Sequence, residues 1–136
     1  MSYSAVEREE TPVLYVSRRD SFPDGPRQAF DELEAKLGSL RGRKFYGAFY
    51  AAADEYRACV ERTAHDDPAR LRLRKGVLPG GPYVKETLKG EPPDLYARIG
   101  PAFDAMVNAA DVDTSRPALE FYRRHDEVVL LLPIRG

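Results

Sequence analysis

Apolar positions along this chain fall into short alternating runs separated by proline- and glycine-rich breaks, with two patches of helical spacing among them. PVLYVS, from Pro12 to Ser17, is apolar and β-branched enough to predict a strand. SFPDGP breaks it, and Asp24 with Pro26 marks a helix start. Ala29, Phe30, Leu33 and Leu37 follow at helical spacing and predict an amphipathic helix over 26–37, closed by Gly38. KFYGAFY (44–50) and EYRACVER (55–62) predict two strands joined by AAAD. Residues 1–11 are polar and unpatterned, and read as a flexible lead-in.

The order then recurs. RLRLRK, from Arg70 to Lys75, alternates apolar and basic side chains and suits a short edge strand protected by charge. After the GVLPGGP turn, YVKETLK (83–89) predicts a strand. A helix follows over roughly 94–109, burying Leu95, Ile99, Phe103, Met106 and Val107, with Gly100–Pro101 bending it or delaying its start. RPALEFY (116–122) and DEVVLLLPI (126–134) predict the last two strands. Phe49-Tyr50, three residues, then Asp54-Glu55 returns as Phe121-Tyr122, three residues, then Asp126-Glu127, offset by 72 residues without a gap.

That match predicts an internal duplication, with pseudo-repeats at about 12–62 and 83–134 of a single domain spanning 12–136. The expected fold class is α+β: duplicated βαββ units forming an antiparallel sheet, with two helices on one face and a ligand cleft on the other. Alternation along 116–122 places Leu119 and Phe121 under the helices, and Glu120 and Tyr122 on the opposite face. Through the repeat, Tyr46, Ala48 and Tyr50 join that opposite face.

Charge and composition narrow the function. The net charge of −1 gives no electrostatic case for nucleic acid or an anionic membrane. No apolar run approaches the roughly 18 residues of a membrane span, and MSYSAVEREE lacks the pattern of a signal peptide. A single cysteine, Cys59, rules out an internal disulfide, and a reducing cytoplasm is the expected location.

Glu120 is the leading chemical candidate, because a carboxylate among tyrosines on a sheet face is partly desolvated and ready to receive a cation. Tyr46, Tyr50, Tyr56, Tyr83, Tyr96 and Tyr122 offer ring faces and hydroxyls to a cleft. The competing reading makes Glu120 an exposed strand residue paired with Arg116 or Arg123, and the tyrosines ordinary strand formers. Cys59 reads as a buried structural residue. His65 and His125 fall in polar loops. No Cys/His spacing suits zinc, and neither a phosphate loop nor a serine elbow is visible, so no metal or cofactor is expected.

Pro117-Ala118-Leu119-Glu120-Phe121-Tyr122, followed by Leu131-Leu132-Pro133-Ile134, resembles the close of the GyrI-like family, with its Pro-x-x-Glu-x-Tyr strand and Ile/Val-Pro-Val-like end. Gly47-Ala48-Phe49-Tyr50 into Tyr56-Arg57-Ala58, and Gly80-Gly81-Pro82-Tyr83-Val84, are also similar to that family, from about Pro12 onward. The family shares its fold with the effector-binding domains of AraC-type and multidrug-responsive MerR-type regulators. The resemblance implies a duplicated βαββ fold with a ligand cleft, and carries the pocket role over to Glu120 alone. It implies a stand-alone binder of small apolar molecules, cationic or aromatic, acting by sequestration or sensing, with a homodimer compatible. Two alternatives come with it. One is a hydrolase of strained cyclopropane-containing or other electrophilic molecules that uses Glu120 as acid or base. The other is a protein-interaction module such as a DNA gyrase inhibitor. The chain has no tryptophan, so relatives that rely on one are poor guides, and no helix-turn-helix is expected before Pro12.

Overall fold

A computed structural model describes residues 3–19 and 25–136. Its sheet strands are β1 (Ser4–Arg8), β2 (Thr11–Arg19), β3 (Phe45–Tyr50), β4 (Glu55–Glu61), β5 (Arg74–Leu78), β6 (Gly81–Lys89), β7 (Ala118–Arg124) and β8 (Glu127–Pro133). The helices are α1 (Gly25–Leu37), α2 (Pro68–Leu71), α3 (Asp94–Ala97) and α4 (Ile99–Ala109). The strands form one antiparallel sheet in the order β1-β6-β8-β7-β3-β4-β2-β5.

The fold is α+β, and the βαββ order repeats as expected. β2, α1, β3 and β4 make one unit; β6, the α3–α4 pair, β7 and β8 make the other. The units meet where β3 pairs with β7. α1 packs mainly on β2 and β4, and α4 on β8, with the central β3–β7 pair between them. Leu14, Val16, Ala58 and Val60 pack with Ala29 and Leu33 of α1, while Leu88, Val128, Leu130 and Leu132 pack with Ile99 and Met106 of α4. The helix-free face has its own core of Val13, Tyr15, Tyr46, Cys59, Tyr83, Leu119 and Leu131. The sheet curls around that core: Arg8 on β1 donates a hydrogen bond to the Tyr46 hydroxyl on β3, 3.2 Å away, although three strands lie between them in the sheet order.

Several expectations are corrected. Residues Ser4–Arg8, expected in a flexible lead-in, form β1 at the sheet edge against β6. The edge strand expected at 70–75 lies at Arg74–Leu78, because Asp67 caps a helical turn by accepting from the amide of Ala69, with Pro68 at its first position. The helix expected over 94–109 is two helices, and Pro101 falls in the first turn of the second, where its missing N–H costs nothing. Met106 is fully buried there, but Val107 is 49% exposed. The helix start expected at Asp24 lies outside the described residues.

The largest correction concerns β7. Its Ala118 and Tyr122 pack on the helix side, whereas Leu119 and Phe121 join the opposite core, the reverse of the expected alternation. A bulge between Tyr122 and Arg124 supplies the reason. β8 keeps the 72-residue offset from β4 in its facing, with Cys59 and Leu131 both on the helix-free side. The bulge inserts one residue into β7, so Tyr46 corresponds in facing to Leu119 and Gly47 to Glu120. A one-residue slip exchanges the two faces of a strand.

Arg116 fastens the second unit. Its guanidinium donates to Asp113 and to the carbonyls of Gly80, Pro82 and Ile134, over the ring of Tyr83. It does not pair with Glu120, and Arg123 pairs with Glu127. Arg116→Ala is expected to destabilise the protein by about 2–3 kcal/mol, because three carbonyls lose a charged donor. Arg116→Lys should recover little, since an ammonium cannot reproduce the planar fork. Denaturant midpoints of the two variants check both statements.

Candidate functional site

Above the central strands, between the two helices, one carboxylate is held in an aromatic cup. Glu120 on β7 turns toward the helices, and one of its oxygens, Oε1, accepts hydrogen bonds from the hydroxyls of Tyr56 (2.8 Å) and Tyr122 (2.6 Å). Phe30, from α1, meets the edges of both rings, with centroids 6.2 Å from Tyr56 and 5.2 Å from Tyr122. Tyr96, from α3, closes the other side 6.2 Å from Tyr122 and is 47% exposed. The opposite carboxylate oxygen, Oε2, accepts no bond from the described residues, and the residue as a whole is half-buried.

The cup depends on a missing side chain. Gly47 on β3 lies directly across from Glu120 in the β3–β7 ladder. A Cβ there would overlap the Tyr56 hydroxyl and Oε1 of Glu120. Gly47 therefore leaves the space in which this hydrogen bond forms, an example of glycine allowing close approach in a strand.

Electrostatics make Glu120 unusual. Burial pushes its carboxyl above the ordinary carboxylate range, and the two tyrosine hydrogen bonds, which favour the charged form, offset this only in part. Among the described residues, no cationic side chain contributes to the balance. Burial and the neighbouring carboxylate also hold the Tyr56 and Tyr122 phenols well above their usual range, so both remain hydrogen-bond donors at neutral pH.

The tyrosines expected around Glu120 divide between two faces. Tyr56, Tyr122 and Tyr96 stand in the cup. Tyr46, Tyr50 and Tyr83 lie on the helix-free side, against the expectation that Tyr46 and Tyr50 share the face of Glu120. Tyr46 stacks on Phe121 at 4.8 Å, Tyr50 lies 4.4 Å beneath the guanidinium of Arg57, and buried Tyr83 donates to the carbonyl of Pro79. Cys59 is buried, its thiol pushed up to about 12 by desolvation, and both histidines are exposed. The sequence reading missed Phe30 and Gly47 as parts of the site. Phe30 is indistinguishable from a core helix residue by spacing. Gly47 sits inside a strand pattern, itself a signal of close backbone approach.

No protein-family model and no curated protein sequence matches this chain. Solved structures do. The chain is similar to SAV2435 bound to tetraphenylphosphonium, with a TM-score of 0.68, 12% identity, and coverage of 100% of this chain and 95% of that one. It is similar to the integron cassette protein VCH_CASS2 from the mobile metagenome of Vibrio cholerae, with a TM-score of 0.69, 18% identity, and coverage of 97% and 95%. It is also similar to a hydrolase from Listeria innocua, with a TM-score of 0.58, 14% identity, and coverage of 97% and 90%. At these identities the likeness establishes a shared fold.

Two variants test the cup. Glu120 titrates higher in the folded chain than in the unfolded one. The stability contributed by its protonated form is therefore complete below the ordinary carboxylate range and is lost as pH rises through the raised value. Glu120→Gln keeps the shape and an acceptor for both tyrosines without the charge. It should melt higher than the parent at about pH 7, with the difference disappearing near pH 4. Gly47→Ala should cost about 1–3 kcal/mol by overpacking, with Tyr56 displaced from Glu120. Melting curves across pH, and the ultraviolet titration of the tyrosines, read the two effects.

Proposed function

We propose that this protein binds lipophilic cations in the aromatic cup, with Glu120 as the counter-charge, and acts by sequestration or sensing. The observation that carries this reading is a desolvated carboxylate held on one oxygen by two tyrosine hydroxyls, with no cationic partner among the described residues. Such a group gains most from a ligand that brings its own positive charge, because the cation restores the charged form that burial disfavours. The rings of Tyr56, Tyr122, Phe30 and Tyr96 add apolar area and cation–π attraction, worth roughly 0.5–2 kcal/mol. The similar fold of a protein solved with tetraphenylphosphonium supports the same ligand class.

The hydrolase among the similar structures supports a second reading of the same cup. Glu120, whose carboxyl burial raises, would donate its proton to the leaving carbon as the strained carbon–carbon bond breaks and water attacks the neighbouring carbon, the proton lost by that water restoring the carboxyl. Tyr56 and Tyr122 would hold the carboxyl in place. Both readings need Glu120, but they place its effect on different quantities.

Titration calorimetry with tetraphenylphosphonium, its anionic isostere tetraphenylborate, and neutral triphenylphosphine oxide separates them. For a binder, Glu120→Gln weakens the phosphonium by about 1–3 kcal/mol and leaves the neutral compound nearly unchanged. Phosphonium affinity should rise with pH until Glu120 is ionised in the free protein, with protons released on binding, because the bound cation lowers the raised carboxyl. Unchanged phosphonium affinity in Glu120→Gln refutes the binding role. For an enzyme, the same substitution leaves affinity intact while turnover of a cyclopropane electrophile falls by about 10²–10⁴-fold.

A further inference from the structure

The helix-free face carries a second cleft, of about 590 Å³; Glu120 does not line it, and of the cup residues only Tyr122, at the β7 bulge, reaches it. Its floor is apolar and comes from four strands: Val6 of β1, Phe121 of β7, and Val129 and Leu131 of β8, with Tyr46 of β3 stacked behind Phe121. Its rim is basic. Arg8, Arg43, Lys44, Lys85 and Arg123 line it against a single carboxylate, Glu7. In a chain of net charge −1, five cations around one opening are a local concentration that overall composition does not account for.

Strand alternation places them. Arg8 stands two residues from Val6, Lys44 from Tyr46, Lys85 from Tyr83, and Arg123 from Phe121. Arg8 and Lys85 are therefore in phase with residues of the helix-free core and extend from the same face; Lys44 directly precedes β3, and Arg123 lies at the β7 bulge, where its ion pair with Glu127 holds it. Arg43 is held by Asp66 and Arg123 by Glu127. Arg8, Lys44 and Lys85 make no ion pair among the described residues, and the guanidinium of Arg8 donates to the Tyr46 hydroxyl behind the cleft. Three cations without a carboxylate partner thus surround an apolar floor.

We propose that this cleft is a binding site for small amphipathic anions, carboxylates or sulfonates with an apolar body. The body would lie on Val6, Phe121, Val129 and Leu131, and the acid group would be held by Arg8, Lys44 and Lys85. The volume lies within the usual range for small-molecule sites, roughly 300–1,000 Å³, and an apolar floor with a few convergent polar groups is their usual composition. A lipophilic cation is disfavoured there by the same charges, so the two faces select ligands of opposite sign. The proposal does not depend on the function assigned to the cup.

Decanoate is the probe, with decanol and decyltrimethylammonium as neutral and cationic controls of equal chain length. Decanoate should bind more tightly than either control, and added salt should weaken it. The double variant Lys44→Glu/Lys85→Glu replaces two exposed lysines and should weaken decanoate by roughly 10-fold or more. Methyl resonances of Val6, Val129 and Leu131 should shift on titration, while those of Ile99 and Met106 on the helix side should not. Should the double variant lose thermal stability, Lys85→Gln alone repeats the test. Decanoate binding no tighter than decanol, insensitive to the lysine variants, or shifting the helix-side methyls would overturn the proposal.

Discussion

The pairing of β3 with β7 joins the two βαββ units, and the rest of the molecule is arranged about it. This seam runs down the middle of the sheet, and the helices pack mainly on the strands to either side of it. Whatever projects from the seam on the helix side becomes the floor of the cup. Gly47 faces Glu120 across the ladder, so the centre holds one long acidic side chain and, opposite it, none. The arrangement is asymmetric although the units repeat. A second side chain at Gly47 would fill the space that the carboxylate and the Tyr56 hydroxyl occupy.

Much of this was legible in the chain. Periodicity located β2, β3, β4, β6, α1 and both final strands to within a few residues, and the recurrence of Phe-Tyr and Asp-Glu identified equivalent hairpins. Glu120, Tyr56, Tyr122 and Tyr96 do come together. The facing of β7 was not legible, because 116–122 has apolar and aromatic side chains at most positions, so neither phase is excluded by polarity. The ungapped sequence match then pointed to the wrong phase, since the extra residue is absorbed at the Tyr122–Arg124 bulge, beyond the stretch that defines the strand's character. The basic rim was invisible for another reason. Arg8, Lys44, Lys85 and Arg123 are scattered over four strands, and only the curl of the sheet assembles them.

Glu120 carries a cost to stability that the rest of the sheet avoids. A carboxylate without a cationic partner costs the fold something whenever it is ionised, and the two tyrosine hydrogen bonds offset only part of that. Buried Glu55, by contrast, is satisfied by Ser17 and Arg57, and its carboxyl sits below the ordinary range. The two glutamates are on the same sheet. One is neutralised by its own chain, and the other has no cationic partner among the described residues.

The edge strands have a different consequence. β1 precedes β2 in the chain yet pairs with β6, and β5 precedes β6 yet pairs with β2. Each unit is thus completed by a strand supplied from the start of the other, a reciprocal exchange within one molecule. Neither unit can detach without stripping an edge from its partner, and an unpaired edge is a template for association with other chains. Most pairings that close the sheet are also distant in sequence, so the chain must bring remote segments together before any edge is protected. Melting should therefore be a single all-or-none event, and folding slow for a chain of this length. A polypeptide cut between β4 and β5 would yield two fragments that recover a complete sheet only by finding each other again.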